Sequence, residues 1–390
     1  MNSHRSLLPS WRLVRFGDVV RNVNANVREP LESGLERFVG LDHLDPESLH
    51  IKRWGLIQDG TTFTRRFATG QVLFGKRRAY QRKVAVAEFD GICSGDILVF
   101  EPADDQLLPE LLPFIVQSDG FFEHALGTSA GSLSPRTKWQ DLAQYEFALP
   151  PQDEQRRIAE ILWAADVVTE SWMHAQIAAR TMLDRVIDDF FSKRDLPHDR
   201  LGHHVAESAY GPRFSNTLYS ELGLVACLRT TDLLDDGTII YSTAPRVDLD
   251  PEEYRGHILR HGDFMISRSG TCGIGCVFEE QIIPMIPGAF LIRLRLKPSL
   301  NPYFLKEFIN SSAGKSQMSN LAQGAVQKNI RGSLLLDEQV PVPSRDQQDR
   351  IVRTIEDLRQ PLARIACHLA TLTTLKSKLL AEILVSARRD

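Results

Sequence analysis

The stretch "PPQDEQRRI" at residues 150–158 has a similar counterpart later in this chain of 390 residues, "PVPSRDQQDRI" at residues 341–351. Gln348 stands where Gln155 stands in the first copy, 193 positions earlier (348 minus 155), which is about half the chain. Each copy begins with a proline-marked turn and continues into an amphipathic pattern, which is typical of the start of a helix. A helix start that is repeated at half-chain spacing predicts an internal duplication.

The duplication extends well beyond this helix start. At the offset of 193 the pattern matches without a gap, and the matched pairs are Gly95 with Gly288, Leu98 with Leu291, Pro109 with Pro302, Ser118 with Ser311, Gly131 with Gly324 and Pro150 with Pro343. At an offset of 192, "TGQVLFGKRRAYQ" aligns with "HGDFMISRSGTCG", which places Gly70 over Gly262. Each half therefore has the same order, in which about 150 residues of short strands and loops precede one long helix.

Both long helices carry a narrow apolar seam. The first is predicted to run roughly from Asp153 to Phe191, and the second occupies residues 344–390. Seam residues recur at alternating spacings of four and three, as in a coiled coil. They are Ile158, Leu162, Ala165, Thr169, Trp172, Gln176, Ala179 and Leu183 in the first helix, and Ile351, Ile355, Leu358, Leu362, Ile365, Leu369, Leu372 and Leu379 in the second. Either each helix packs on its own domain, or the two pack on each other under pseudo-two-fold symmetry, and the similar seams favour pairing.

Three local features mark the second helix. Ser344 and Gln347 have the spacing of a capping box at its start. Pro361 lacks an N–H group and clashes with the preceding turn of a helix, so we expect a kink or a break near residues 359–361. Lys376 occupies the one seam position that is not apolar.

The composition restricts the class of protein. The net charge of −4 argues mildly against a nucleic-acid binder, but residues 65–83 hold seven Lys and Arg residues and no acidic residue. Five scattered cysteines fit a reducing cytoplasm better than a disulfide scaffold. Because no apolar run has the length of a signal peptide or a membrane span, we expect a cytoplasmic protein with a local basic face.

The sequence contains no recognisable catalytic motif. A P-loop, an HExxH zinc motif and the catalytic segment of an amino-methyltransferase are all absent, and "CGIGC" at residues 272–276 has no third glycine at the place that a dinucleotide fingerprint requires. Cys272 and Cys276 have no second ligand pair nearby, which favours a buried structural role over metal binding. We therefore expect neither catalytic residues nor a metal site.

The chain resembles the specificity subunit of type I restriction-modification enzymes. The resemblance is carried over essentially the whole chain by the duplicated "LPPQDEQRRIAEIL" and "PVPSRDQQDRIVRTI", by the opening "WRLVRFGDVV", and by the paired "GQVLFGKRRAYQRK" and "GDFMISRSGTCG". It implies an α+β fold in which two mixed α/β target recognition lobes are separated by two long antiparallel coiled-coil helices in a pseudo-two-fold internal repeat. The lobes are expected at residues 1–151 and 193–343, and the helices at residues 152–192 and 344–390.

The resemblance also implies a function without catalysis in this chain. Each lobe would read one half of a split site in double-stranded DNA, and the helix pair would set the spacing and dock two methyltransferase subunits, which restriction or translocase subunits join. AdoMet, ATP and Mg would bind these partners and not this chain. Partner contacts are expected at the helix starts, through Gln155, Arg157, Gln348 and Arg350. The alternative is a two-lobed coiled-coil scaffold that binds proteins and not DNA.

Candidate DNA contacts lie in segments where the two halves differ most. Arg and Lys bind phosphates or a guanine edge, Asn and Gln can read adenine, and small hydroxyls bind either. In the first lobe the candidates are Lys76, Arg77, Arg78, Tyr80, Arg82, Lys83, Ser132, Ser134, Arg136 and Lys138. In the second they are Arg268, Ser269, Thr271, Gln323, Gln327, Lys328, Asn329 and Arg331. The alternatives are a solvated basic face for the cations and an ordinary turn for the Gly/Ser-rich stretches.

Overall fold

The chain is mixed α/β and contains two long helices. Its structure, a computed structural model, describes residues 10–131, 134–192, 196–322 and 329–384. The chain divides into two compact units: the first unit is Met1–Met173 with Cys367–Asp390, and the second unit is His174–Ala366. The four predicted segments were defined along the sequence, and their boundaries stay a prediction.

The first unit is built from short strands that follow apolar runs bounded by glycine and polar turns. Its strands are β1 (Arg12–Arg15), β2 (Val20–Asn22), β3 (Arg37–Val39), β4 (Gly55–Leu56), β5 (Arg65–Phe67), β6 (Val72–Gly75), β7 (Val84–Val86), β8 (Gly91–Cys93), β9 (Ile97–Pro102) and β10 (Glu146–Leu149). Its short helices are α1 (Phe16–Val19), α2 (Leu112–Gln117), α3 (Asp119–Gly127) and α4 (Trp139–Leu142), and the long helix α5 (Gln152–Ser192) begins in this unit.

The second unit has the same kinds of element. Its strands are β11 (His198–Arg200), β12 (Val205–Tyr210), β13 (Val225–Leu228), β14 (Arg246–Val247), β15 (Phe264–Ser267), β16 (Gly275–Val277), β17 (Met285–Pro287), β18 (Leu291–Leu296) and β19 (Gln339–Pro341). Its short helices are α6 (Pro302–Asn310), α7 (Ser312–Leu321) and α8 (Gly332–Asp337), and the long helix α9 (Arg345–Leu384) begins in this unit.

The two units share their strand topology except for β5, which has no counterpart among the described strands of the second unit. The first unit has sheets of order β2-β9-β6-β7, β4-β3-β8-β5 and β1-β10, and the second has β12-β18-β15-β16, β14-β13-β17 and β11-β19. In each unit one strand pair is parallel, β3 with β8 and β13 with β17. Helix capping is repeated as well, because Ser118 caps α3 and Ser311 caps α7, each accepting the N–H three residues further on at 3.3 and 3.2 Å. The offset found in the sequence therefore corresponds to equivalent elements in the two units.

The repeated helix start has a structural explanation. Gln155 is 1% exposed, and its amide oxygen accepts the Leu108 N–H at 2.9 Å. Its amide nitrogen donates to the carbonyl oxygens of Gln106, at 2.8 Å, and Pro150, at 2.9 Å. The side chain thus satisfies three backbone groups that are buried or partly buried, which ties α5 to the loop that follows β9.

Gln348 makes the same three bonds in the second unit. It is 0% exposed, accepts the Asn301 N–H at 2.7 Å, and donates to the carbonyl oxygens of Ser299, at 2.9 Å, and Pro343, at 2.8 Å. Every partner lies 193 positions after its counterpart in the first unit. The stretch is repeated because each unit needs this glutamine to join its long helix to its globular part.

The predicted seams coincide with the less exposed faces of both long helices. Every seam residue named above is buried or partly buried. In the first unit, Asp166 of α5 binds Lys376 of α9 at 2.8 Å, and the Trp172 ring stacks on His368 with centroids 5.3 Å apart. A later residue of α5 meets an earlier residue of α9, so the two segments are antiparallel within this unit. Pairing along the whole of both helices stays a prediction.

Two predictions for α9 need correction. The helix is continuous from Arg345 to Leu384, so the expected break at Pro361 is absent. Leu358 and Leu362 pack against the core of the second unit on either side of the proline, and this packing holds the helix together despite the lost hydrogen bond. The capping box is only half formed, because Gln347 accepts the Ser344 N–H at 3.2 Å while the Ser344 hydroxyl donates to the same oxygen.

Candidate functional site

A backbone bridge joins two of the predicted segments in the first unit. Arg77, just after β6, forms an isolated β-bridge with Arg136, just before α4. The Arg78 N–H donates to the Pro135 carbonyl at 2.8 Å, and the Lys76 carbonyl accepts a backbone N–H at 3.1 Å. Residues about 60 positions apart in the chain therefore form one cationic group, which we call the first bridge (Lys76, Arg77, Arg78, Ser134 and Arg136).

Asp96 partly neutralises the first bridge. Its carboxylate accepts from Arg136 Nε at 2.8 Å and Nη2 at 3.3 Å, and it lies 3.5 Å from Arg77 Nη1. The hydrogen bond from Arg136 lowers the pKa of Asp96, so this carboxylate stays charged. Burial, together with the neighbouring Arg65, lowers the pKa of Lys76. The bridge is thus a crowded cation cluster with one acidic partner.

The rest of the basic segment does not share this surface. Arg78 and Arg82 have φ angles of 54° and 52° on either side of a single 3-10 turn, so the chain reverses between them. Arg82 binds Asp119 at 2.7 Å and Glu47 at 3.3 Å, and its guanidinium lies 4.6 Å from the centre of the Phe122 ring. Through these contacts Arg82 stabilises the folded first unit.

Two residues of that segment remain to be placed. Lys83 donates to the Leu41 carbonyl at 2.5 Å. Tyr80 is 56% exposed. Arg82 and Lys83 are thus held by contacts within the first unit, whereas Tyr80 is accessible, and DNA binding by all three stays a prediction.

The second unit contains the equivalent bridge with different side chains. Ser269, just after β15, forms an isolated β-bridge with Asn329, just before α8. The Ile330 N–H donates to the Arg268 carbonyl at 2.9 Å. Asn329 lies 193 positions after Arg136, and Ser269 lies 192 positions after Arg77. We call Arg268, Ser269 and Asn329 the second bridge.

Arg268 is held in a fixed orientation. Its Nε donates to Asn329 Oδ1 at 3.1 Å, and its guanidinium carbon lies 4.4 Å from the centre of the Tyr210 ring. The Tyr210 hydroxyl in turn accepts the Gly332 N–H at 2.9 Å. Tyr210 is 44% exposed, so the stacked pair lies at the surface of the unit.

The remaining candidate residues differ in how exposed their side chains are. Ser134 accepts from Arg77 Nη2 at 3.1 Å, and Ser269 is only 7% exposed. Thr271 is exposed, as are Lys138 and Arg331, which occupy the N-cap positions of α4 and α8. Ser132, Gln323, Gln327 and Lys328 lie outside the described residues.

The four predicted partner contacts divide into two kinds. Gln155 and Gln348 are buried, and their amides are used by the chain's own backbone, so contact with a partner is not supported for them. Arg157 and Arg350 are exposed at the starts of α5 and α9. Partner binding by these two arginines stays a prediction.

Asp96 and Tyr210 were missed by sequence reasoning. Asp96 is separated from Arg136 by 40 positions, and Tyr210 is separated from Arg268 by 58 (268 minus 210). Neither lies in a biased or motif-like stretch, and both contacts arise only when strands from distant parts of the chain pair. The one sequence feature that points to Asp96 is that it is the single carboxylate in "SGDILVF", which follows the cation-rich residues 65–83.

Comparisons with known proteins show which proteins this chain is similar to. Residues 57–178 match the family described as Type I restriction modification DNA specificity domain, and this range includes the first bridge, Asp96 and the first part of α5. The resemblance to type I specificity subunits is confirmed. The EcoDI specificity subunit of Escherichia coli is 25% identical over 199 residues, which cover 48% of this chain and 42% of that protein. The match thus spans less than half the length of this curated relative.

Two solved structures share the fold over nearly the whole chain. One, described as the structural basis underlying complex assembly and conformational transition of the type I R-M system, has a TM-score of 0.59 and 23% identity, and covers 97% of this chain and 98% of its own. The S subunit of a type I restriction-modification system from M. genitalium has a TM-score of 0.59 and 16% identity, and covers 98% and 99%. At these identities the likeness shows the fold.

Two kinds of feature, a metal site and a membrane-spanning helix, are absent from the described residues. In that part of the chain no group of three or more His, Cys, Asp or Glu side chains is arranged to hold a metal ion. Among the described helices, none combines the length and the apolar character needed to cross a membrane.

Proposed function

We propose that this chain is the DNA sequence-recognition subunit of a type I restriction-modification complex. Each unit reads one half of a bipartite site in double-stranded DNA. One observation carries the proposal: both units build the same backbone bridge at equivalent positions, but they place different polar side chains on it, Arg77 and Arg136 in one and Ser269 and Asn329 in the other.

This combination is what reading two different half-sites requires. Phosphate contacts position a protein on DNA, whereas the identity of the side chains at base edges specifies sequence. A shared backbone can present either set of side chains in the same place. The cations of the first bridge, together with Arg268 in the second, supply local positive charge on a chain of net charge −4.

We assign the spacing of the half-sites to α5 and α9, as an antiparallel coiled coil. They contain 41 and 40 residues, and at 1.5 Å per residue each is roughly 60 Å long. One turn of B-DNA is about 34 Å, so this length suits half-sites separated by one to two turns. The antiparallel contacts of Asp166 with Lys376 and of Trp172 with His368 support the pairing.

We assign the docking of methyltransferase subunits to the exposed surface of the long helices. In the first unit, Ile161 and Val167 of α5 are 48% and 58% exposed, and in the second, Ile177 and Met182 are 65% and 62% exposed. A helix that already buries one apolar seam and still exposes further large apolar residues is suited to packing against a partner. The exposed Arg157 begins the same helix and is a candidate for a polar contact at the edge of that surface.

The chemistry of the complex belongs to the partners in this proposal. The chain itself is non-catalytic, and AdoMet, ATP and Mg bind to methyltransferase and restriction or translocase subunits. The adenine to be methylated is flipped into the partner's pocket, as enzymes that modify bases require. The assembly acts in the cytoplasm.

The proposal is tested by mapping adenine methylation across the genome of the source cell, with the gene, without it, and with Arg77→Ala/Arg136→Ala in its place. We expect deletion to abolish one split motif, and the double variant to alter one half of that motif and leave the other half intact. Arg156→Ala, at an exposed arginine of α5, is the matched control and should keep the motif. If the purified assembly selects no motif from randomised duplexes and deletion removes none, the scaffold alternative replaces this proposal.

A further inference from the structure

We propose that Arg268 reads a guanine in the half-site of the second unit, and that Tyr210 and Asn329 are the residues that position it. The inference rests on the proposed function. It goes further by assigning one base type to one side chain and by separating the reading residue from its supports.

The first step concerns which atoms of Arg268 remain available. Its Nε is used by Asn329, and one face of its guanidinium lies on the Tyr210 ring. Among the described residues none pairs with the two terminal nitrogens, Nη1 and Nη2. These two groups form the end of the planar fork, opposite the bond to Asn329, and the side chain is partly exposed.

The second step concerns what such a fork recognises. Two adjacent N–H donors in one plane match the O6 and N7 acceptors that guanine presents in the major groove. Thymine, cytosine and adenine each present at most one acceptor in the corresponding pair of positions, since their other groups are donors or a methyl. An arginine whose plane is already fixed loses less side-chain freedom on binding, so it discriminates more sharply than a mobile one.

The third step concerns Asn329, which could read adenine if its amide were free. Reading adenine on two atoms requires both the amide oxygen and the amide nitrogen. The oxygen of Asn329 already accepts from Arg268 Nε at 3.1 Å, which directs the amide plane toward Arg268 and leaves the oxygen one further lone pair. We therefore assign Asn329 to positioning Arg268.

Tyr210 has a similar supporting role. Its hydroxyl is fixed by the Gly332 N–H, and a Cβ added at Gly332 would lie only 2.8 Å from that hydroxyl. The ring is thus held from α8 on one side and covers Arg268 on the other. This closeness gives an indirect way to disturb Arg268, because Gly332→Ala would push the ring away without changing any side chain that faces DNA.

The experiment is a selection of randomised duplexes by the full chain together with the subunits that co-purify with it, followed by sequencing of the bound DNA. The unaltered chain should select a two-part motif. Arg268→Ala should lose the preference for guanine at one position by about tenfold, Arg268→Lys should weaken it, and both should leave the other half-site unchanged. Lysine keeps the charge but lacks the planar fork, so it separates base reading from phosphate binding.

The supporting residues are tested in the same selection. Asn329→Ala and Gly332→Ala should weaken the preference at that same guanine, not at an adenine. Arg255→Ala, at an exposed arginine of the same unit, is the control for the loss of one positive charge and should keep the whole motif.

Each outcome decides the inference. If Arg268→Ala binds with an unchanged motif, Arg268 contacts a phosphate or no DNA at all, and the assignment is wrong. If Asn329→Ala changes an adenine position, the asparagine is itself a reader. If the unaltered chain selects no motif, the proposed function fails together with this inference, and that failure is visible before any variant is examined.

Discussion

At the scale of single residues, Asp96 partly neutralises the first bridge, and in the proposed function it would limit how much of that charge is available to DNA. It binds Arg136 through two nitrogens and lies near Arg77. Phosphates can compete for the same guanidiniums, so DNA binding at the first bridge would exchange one anion for another. A carboxylate at this place would then lower non-specific attraction and leave the arginines for contacts that outweigh it.

Asp96→Asn should therefore raise affinity for DNA of random sequence several-fold at low salt. Each cation released to a phosphate adds about 0.9 to the slope of log affinity against log salt, so the slope should become steeper by about one or two. The measurement is a fluorescence anisotropy titration of the assembly at several salt concentrations. Asp90→Asn is the control, because Asp90 lies beside Arg66 at 3.7 Å and has no contact with the bridge. An unchanged slope in Asp96→Asn would show that the two arginines do not reach phosphates.

A second residue-scale device is the charged group around His50 in the first unit. Its Nε2 lies 2.9 Å from Asp166, and its Nδ1 lies 2.9 Å from Glu88. The hydrogen bond to Asp166, against the opposing effect of burial, raises the pKa of His50 from 6.5 to about 9. Asp166 also binds Lys376, so a cation on either side keeps its pKa low although burial opposes its ionisation.

The raised pKa of His50 predicts how stability changes with pH. A group whose pKa is raised by folding contributes fully below its unfolded pKa, near 6.5, and loses that contribution as pH rises through about 9. The chain should thus lose on the order of 1–2 kcal/mol of unfolding free energy across this window, after allowance for solvent screening. His50→Gln should remove this dependence, and thermal unfolding at a series of pH values measures it. Equal pH profiles for the two proteins would contradict the charged pairing of His50 with Asp166.

At the scale of elements, the repeated glutamine explains why the two long helices begin alike. Each amide satisfies three backbone groups that are buried or partly buried. Replacement by leucine keeps the volume but leaves one N–H and two carbonyls without partners. Each such group costs about 1–3 kcal/mol, so the junction between helix and loop should open far more often.

Hydrogen exchange tests this junction locally. Gln155→Leu should speed exchange of the Leu108 amide by tenfold or more and leave the Asn301 amide unchanged, because the two networks lie in different units. Gln348→Leu should do the reverse. Arg156→Ala, on the exposed side of α5, should change neither. Slow exchange at Leu108 in Gln155→Leu would show that another group protects that amide.

The elements also show where sequence reasoning succeeds and where it fails. The long helices, their seams and the equivalent strands follow from local periodicity and from the offset, both of which the chain carries in its sequence. The expectation of a break at Pro361 was wrong because the sequence shows the lost hydrogen bond of the proline. It does not show the tertiary packing of Leu358 and Leu362 that offsets this loss.

The same limit applies to the candidate site. Sequence reasoning found the two segments of each bridge but listed residues 76–83 as one group of candidates, because the left-handed backbone conformation of Arg78 and of Arg82 has no signature in side-chain type. The partners Asp96 and Tyr210 were out of reach because they lie far along the chain from the arginines that they contact, Asp96 just before β9 and Tyr210 at the end of β12.

At the scale of the whole molecule, the boundary between the compact units cuts both long helices at equivalent places. It falls after Met173 in α5 and after Ala366 in α9, which are 193 positions apart (366 minus 173). Each unit therefore contains the start of one long helix and the end of the other. If the helices set the gap between half-sites, this boundary is the place where the gap can be lengthened without altering the contacts of either unit.

Seven residues inserted after Met173 and seven after Ala366 should lengthen the gap in the recognised site by about three base pairs. A heptad adds about 10 Å at 1.5 Å per residue and returns the seam to the same face within about 20°. Adjacent base pairs are about 3.4 Å apart along the DNA axis. The map of methylated adenines in cells that carry the altered gene measures the change directly.

The single insertions are the matched controls for this experiment. Seven residues in α5 alone, or in α9 alone, leave one helix longer than its partner, so paired seams no longer coincide and methylation should be lost. A paired insertion that keeps the original gap would show that the DNA, or the partner subunits, fix the distance. A paired insertion that keeps both half-sites and lengthens only the gap would show that recognition resides within each unit and that spacing resides in the helices between them.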